Sequence, residues 1–370
     1  MDRSSIERTK KRQKTLPDDR ITMFSSRLSP ADALELLRSD DLPKLGEAAD
    51  AVTRRLHPQP IRTYKIERNI NYTNICVSGC RFCAFYRNEK NGYVLDDETL
   101  LAKVAETVEL GGDQVLLQGG LHPTLPLEWY ERMIRLIRTN FPSVNVHGFS
   151  PTEIAFFADH FGLSDREVLE RFREAGLGSL PGGGAEILVD RVRQELSPRK
   201  ATADRWLSVC RTWHTMGGRG SATMMFGHIE TLEERIEHLH RIRELQDETG
   251  GFTSFIPWTF QPCNTLLAAT EYRSNDLAGT PAQWTAAHPT DYLQTLAVSR
   301  LFLDNVSSLQ ASRVTQGLAM GTLALSFGAD DLGSVMIEEN VVAAAGTVHR
   351  TNEAELRQAI LSAGFEPCRR

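Results

Sequence analysis

Apolar and polar positions follow two rhythms along this chain, and their order predicts an architecture. Ser29-Pro30 reads as a helix start, an N-cap followed by a first-turn proline. Ala33, Leu34, Leu36 and Leu37 give that helix one buried face. A second helix is predicted over about 45–56, and 61–66 alternates like a short strand. From Tyr72 onward the pattern is strand, loop, helix, repeated. Strands are predicted at 72–75, 114–117, 144–146, 178–180, 221–226, 253–258, 306–310 and 332–336. The helices between them are predicted at 96–110, 127–138, from Ser150-Pro151 onward, 164–175, 189–195, 203–216, 232–247, 291–303, 314–325 and 338–345. Eight such units place the chain in the α/β class, with a parallel sheet and helices outside. A closed (β/α)8 TIM-type barrel with a helical N-terminal cap is the leading architecture.

The rhythm fails at two places. Residues 1–20 are polar and basic, with Arg3, Arg8, Lys10, Lys11, Arg12 and Lys14, and lack the apolar stretch of a secretory signal. They read as a solvated, disordered tail. Residues 268–290, with Pro281 and Pro289, read as a long surface loop inserted into the barrel. The expected division is therefore a tail over 1–20, a helical cap over 21–60 and a barrel over 61–370. No run approaches 18 apolar residues, which excludes a transmembrane helix. The net charge of −6 gives no sign of a nucleic-acid partner.

The chemistry concentrates in residues 69–87, N-I-N-Y-T-N-I-C-V-S-G-C-R-F-C-A-F-Y-R. Cys76, Cys80 and Cys83 stand at C-x3-C-x2-C, with aromatic residues between and after them. A structural zinc site normally closes with four Cys or His ligands. Here no fourth stands nearby, the next His being His122. Three thiolates suit a [4Fe–4S] cluster that keeps one iron open to a small molecule. Cys210, Cys263 and Cys368 are scattered and read as structural or incidental. Free thiols and an oxygen-sensitive cluster fit a reducing cytoplasm.

Other candidates stand just after predicted strands, at the end of the barrel where active sites are built. Gly119-Gly120 follows the second strand, where glycines allow close backbone approach or simply a turn. Pro181 to Glu186 reads P-G-G-G-A-E. Glu186 can accept from ribose hydroxyls or serve a helix first turn. Ser150 and Glu153 fit either the site or a capping box. His228 ends the fifth strand, where an imidazole can move a proton. Trp258, Phe260 and Gln261 can wall an aromatic ligand or fill a rim. Asp330, Asp331, Glu338, Glu339 and Asn340 flank the eighth strand, as polar-substrate contacts or helix caps.

The Cys spacing, with Phe82 just before the third Cys, resembles the radical S-adenosylmethionine (SAM) superfamily. Within it, the words N-Y-T-N-I-C, F-C-A-F-Y-R, L-Q-G-G-L-H-P, S-P-T-E-I, L-P-G-G-G-A-E-I-L, T-G-G-F and M-I-E-E-N-V-V resemble one branch. That branch holds the menaquinone enzymes of the futalosine route and the deazaflavin synthases. F-I-P-W-T-F-Q-P and A-T-M-M-F-G-H are most similar to its dehypoxanthine futalosine cyclases. Ser78-Gly79, Arg313, Asp330 and a longer 268–290 loop depart from the branch's pattern, the last three bearing on substrate contacts.

The resemblance implies that the open iron binds SAM and that one electron releases a 5′-deoxyadenosyl radical. The radical takes hydrogen from C4′ of the ribose of dehypoxanthine futalosine, and the carbon radical closes on the benzoate ring of the same molecule. Phe82, Gly119, Gly120, Ser150 and Glu186 are then expected around SAM, with Glu153 or His228 receiving the final proton. The implied partners are a small-molecule substrate and a one-electron donor such as flavodoxin or ferredoxin. The neighbouring possibility is aminofutalosine synthase or deazaflavin synthase chemistry.

Overall fold

The computed structural model describes residues 27–271 and 287–370. The basic tail and most of the 268–290 insertion lie outside the described residues. Helices α1 (Pro30–Leu37) and α2 (Leu42–Leu56) precede strands β1 (Ile61–Lys65) and β2 (Glu67–Ile70). There follow α3 (Asp97–Glu109), β3 (Gln114–Leu117), α4 (Leu127–Asn140), β4 (Asn145–Gly148), α5 (Pro151–Phe161), α6 (Asp165–Ala175), α7 (Asp190–Leu196), α8 (Ala203–Thr215), β5 (Gly220–Phe226) and α9 (Leu232–Thr249). The last third contains β6 (Phe252–Thr259), α10 (Leu266–Glu271), α11 (Pro289–Phe302), β7 (Ser308–Leu309), α12 (Arg313–Gln316), α13 (Leu318–Ala324), β8 (Asp331–Ser334), α14 (Val341–Ala344), α15 (Glu353–Ser362) and β9 (Glu366–Arg369).

Strand pairing is parallel throughout, in three sheets ordered β8-β1-β9, β2-β3-β4 and β5-β6-β7. Single bridges join the sheets. His147 pairs with Ser179, Leu180 with Gly220, and Gln310 with Asp331. Beyond β8, the Ile337 amide donates to Glu67 O at 2.9 Å and the Asn69 amide to Glu338 O at 3.2 Å. Strand alternation explains the layers. In β3, Val115 and Leu117 are buried in the core beneath α3 to α6, whereas Gln114 and Leu116 face a central cavity. The helices begin where capping chemistry dictates. Ser150 with Glu153, Ser164 with Glu167 and Thr231 with Glu234 each form a reciprocal capping box. The helices α1 and α2 lie against the helical flank: Thr53 Oγ1 donates to Gly328 O at 2.7 Å, and Gln294 Nε2 donates to Ser39 O at 2.7 Å.

Several predicted elements shift. The first barrel strand lies earlier, at β1 and β2. Residues 72–75 are instead loop, clamped by bridges from Thr73 to Val94 and from Ile75 to Arg87. The 178–180 strand is reduced to two bridges. Gly317, at φ 81°, splits the predicted 314–325 helix into α12 and α13. The predicted 338–345 helix is only α14, because Glu338, Glu339 and Asn340 spend their side chains on loop contacts. Within the predicted loop insertion, 268–271 belong to α10 and Pro289 begins α11. Helix α15 and strand β9 had no counterpart in the prediction.

Candidate active site

The Cys loop leaves β2 and is held from both sides. Gly120 packs so closely that an added Cβ would stand 2.1 Å from Ile75 O, and one at Gly119 would stand 2.3 Å from the Tyr72 ring. These glycines therefore make room for the chain's own loop. The Val77 amide donates to Leu121 O at 3.0 Å, and the Leu121 amide donates to Cys76 Sγ at 3.3 Å. Ser78 Oγ lies 3.0 Å from Cys76 Sγ and 3.3 Å from Cys80 Sγ, so it gathers two of the three thiols. Burial pushes the Cys80 thiol up to about 11, against the pull of Lys200. Burial also raises Cys83, against backbone donors at Phe85 and Tyr86. Among the described residues no three His, Cys, Asp or Glu side chains converge on a single metal-ion point. A four-iron cube takes its thiolates at separate corners, and three soft donors with N–H groups aimed at sulfur fit that group.

Next to this loop stands Glu186. It is buried, is not helical, and holds φ 41°, a left-handed conformation that side chains rarely adopt. Its Oε1 accepts from Lys200 Nζ at 3.0 Å. Its Oε2 lies 3.6 Å from Arg193 Nη1 and has no hydrogen-bond partner among the described residues. Arg193 itself clasps the glycine loop, donating to Gly184 O, Ala185 O and Ala201 O. The Lys200 ammonium also sits 5.0 Å from the Phe82 ring centroid. Lys200 and Arg193 went unnoticed in the sequence because no motif marks them; only folding brings them to Glu186.

A cavity of about 420 Å³ occupies the space enclosed by the strands and reaches Glu186. Glu67, Asn69, Gln114, Gln118, His147, Ser179, Thr223, Gln310 and Glu339 contribute to its lining. Inward positions of a filled barrel carry bulky aliphatic residues. Here Leu116 and Ile256 are interspersed with polar residues, and the space stays open. Burial holds His147 down to about 3, so its imidazole is neutral, with Nδ1 2.7 Å from Ser179 Oγ. In β2 and β5 the alternating polar residues, Glu67 with Asn69 and Ser221 with Thr223, were a legible signal for this lining. A wider cleft of about 1110 Å³ borders the Cys loop, lined by Cys83, Tyr86, Arg87, Pro262 and Cys263 among others.

The expected proton acceptors are engaged elsewhere. Glu153 is buried and accepts from Tyr72 Oη at 2.5 Å, Gly119 N at 3.2 Å, and both Ser150 N and Oγ. It ties the second strand's glycine turn to the cap of α5, and neither it nor Ser150 lines the cavity. His228 has a fully buried side chain between Met225 O and Glu230, each 2.9 Å away. Trp258 lines the cavity. Phe260 is buried in the core, and Gln261 bonds Thr259 and Thr347. The acidic residues divide. Glu339 faces the cavity, Glu338 pairs with Lys103, Asp330 with Arg300, and Asp331 with Arg370.

Comparison with known proteins agrees with this geometry. The Radical SAM superfamily model matches residues 70–242, and the CofH/MqnC C-terminal region matches 249–370. The crystal structure of methylornithine synthase superposes with a TM-score of 0.69 at 18% identity, covering 95% of this chain and 97% of that one. The fold is therefore that of radical SAM enzymes. A Halalkalibacterium halodurans protein named cyclic dehypoxanthine futalosine synthase is 46% identical over 346 residues, 93% of this chain and 90% of its own length. A Thermus thermophilus aminodeoxyfutalosine synthase is 39% identical over 360 residues, 96% of this chain and 94% of its own. The chain belongs to the radical SAM superfamily, in the family that carries the CofH/MqnC C-terminal region.

Proposed function

We propose that this chain is a radical SAM cyclase that converts dehypoxanthine futalosine to its cyclic, spiro-fused product. The observation that carries the reading is the open cavity at the centre of the strands, which reaches Glu186, the carboxylate that Lys200 joins to Phe82 of the Cys loop. Its volume is in the range of small-molecule sites. Within this reading the three sheets are staves of one closed barrel. The bridges at Ser179, Gly220 and Asp331 and the Glu67–Ile337 bond support closure.

Cys76, Cys80 and Cys83 hold the [4Fe–4S] cluster, which with SAM supplies a 5′-deoxyadenosyl radical when both are bound. Glu186 offers its unpartnered Oε2 to the ribose hydroxyls of SAM, while Lys200 keeps the carboxylate charged and oriented. Phe82 borders the same ligand, and the Gly119-Gly120 turn, its amides held by Glu153 and Thr73, sets the Cys loop beside it. The polar interior positions hold the sugar of the substrate and fix the distance from C4′ to the aromatic ring, so that closure follows abstraction. The surrounding strands exclude water from both radicals. Glu153 and His228 support the turn and the β5 end. An external one-electron carrier supplies the electron.

The test is an anaerobic assay with SAM, a reductant and dehypoxanthine futalosine carrying deuterium at ribose C4′. The expected product carries two hydrogens fewer than the substrate: the C4′ deuterium, which appears in free 5′-deoxyadenosine, and one ring hydrogen, which leaves as a proton. Retention of the label, or an adenosyl carbon bonded to the product, refutes the cyclase reading.

A further inference from the structure

We propose that His147 and Gln118 form the sugar-binding wall of the cavity, hydrogen-bonding the uncharged hydroxyls of the substrate's ribose. The proposal deepens the function proposed above and rests on it for the identity of the sugar. Val146 packs in the core beneath the helices, so strand alternation turns His147, next in β4, to the other face, where it lines the cavity. One side of its ring is fixed. Nδ1 stands 2.7 Å from Ser179 Oγ, which accepts from Asn145 Nδ2 at 3.2 Å, and Asn145 Nδ2 also donates to Gln114 Oε1 at 2.7 Å. The other side is open. Nε2 has no hydrogen-bond partner among the described residues, yet it keeps accessible surface, unlike the sealed, unpartnered Nε2 of His238.

Gln118 follows β3, the strand paired with β4. Its side-chain amide likewise lines the cavity, unsealed and without a partner among the described residues. The amide lies against the glycine loop that leads to Glu186, since a Cβ on Gly183 would stand 2.5 Å from Gln118 Nε2. His147 pairs with Leu116, two residues before Gln118, so the imidazole lies deeper and the amide nearer the Glu186 end. Neither group is charged. Burial, with Lys65 and Arg370 nearby, keeps the imidazole neutral. An ionic group would gain no counter-ion from these two side chains. A hydroxyl both donates and accepts, so it satisfies an imidazole nitrogen or an amide in either sense. From another sheet, Ile256 and Trp258 of β6 line the same cavity with apolar surface. A ligand with a hydroxylated sugar and an aromatic ring suits both, the sugar on β3 and β4 and the ring on β6.

The experiment measures equilibrium binding of dehypoxanthine futalosine and of its 2′,3′-dideoxy analogue to the cluster-loaded protein without reductant, so that no turnover occurs. The unaltered protein should prefer the hydroxylated ligand by roughly five- to a hundred-fold, the range expected when buried polar atoms lose their partners. His147→Asn keeps a polar atom beside Ser179 and removes the one at Nε2, so it should lose most of that preference. His147→Gln restores a polar atom near the Nε2 position and should recover part of it. Gln118→Met, of similar size, should also lower the preference, with the dideoxy analogue bound as before. Equal losses on both ligands would mean that the two side chains only hold the strands together, and would overturn the proposal. No binding, or equal affinities of the unaltered protein for the two ligands, would overturn it as well. If the protein fails to cyclise dehypoxanthine futalosine yet shows this preference and loses it in His147→Asn, the function falls while the wall stands.

Discussion

Lys200 Nζ stands 3.0 Å from Glu186 Oε1 and 5.0 Å from the centroid of Phe82, the residue before the third Cys of the loop. One buried ammonium thus touches the glycine loop's carboxylate and the Cys loop together. Burial disfavours the charge, but the field of its neighbours, the Glu186 carboxylate among them, outweighs burial and keeps the ammonium protonated. Lys200→Met should weaken SAM binding by ten-fold or more, because Glu186 loses the cation that orients it. Glu186→Gln should weaken it similarly while leaving iron content intact. Equilibrium binding of SAM to the reconstituted proteins checks both, and unchanged affinity in Lys200→Met would separate Lys200 from the ligand.

The three loop cysteines should behave unlike the other three. Cys76→Ala, Cys80→Ala and Cys83→Ala are each expected to lose cluster loading. Cys210→Ala, Cys263→Ala and Cys368→Ala should keep it, since these thiols lie outside the loop and form no disulfide. Iron and sulfide analysis after anaerobic reconstitution gives the answer.

Gly120→Ala should reduce iron content without unfolding the strands. Its Cβ would meet the Ile75 carbonyl at 2.1 Å and Cys76 Cβ at 2.9 Å, and backbone cannot yield as a flexible side chain does. The Cys loop must then move away from the β3 turn. A normal circular dichroism spectrum with full iron would contradict this account.

Acid should destabilise the protein through its buried histidines. Burial holds His238 down to about 3, His147 to about 3 and His214 to about 4, against 6.5 in the unfolded chain. Between those values the unfolded chain binds more protons. The stability that neutrality confers is complete above pH 6.5 and is lost as pH falls toward the folded values. Each fully buried group contributes about 1.4 kcal/mol per pH unit. Burial raises Glu67 and Glu153, which lose stability in the opposite direction as pH rises above 4.5. A single variant separates the two effects. The cost of His238→Asn, measured by denaturant unfolding, should shrink by about 1.4 kcal/mol per unit as pH falls from 6.5. A cost independent of pH would mean that His238 takes up its proton in the folded protein just as it does in the unfolded chain.

What the sequence determined by itself was local. The period of apolar residues set the helices, and the capping boxes at Ser150, Ser164 and Thr231 set where three of them begin, since a cap needs only four consecutive residues. Cys76, Cys80 and Cys83 were legible because one loop carries all three. Short strands were less so: 72–75 has the composition of a strand, but Tyr72 is spent on Glu153 and the aromatic core, and Thr73 on the Cys-loop clamp. Tertiary structure decided the rest. Glu153 and His228 read identically in sequence whether they face a ligand or their own chain; in the fold their side chains are bonded to Tyr72, Ser150, Met225 and Glu230. Lys200 reached Glu186 across the α7 segment. That outcome depends on which groups the fold places within bonding distance, which no local pattern encodes.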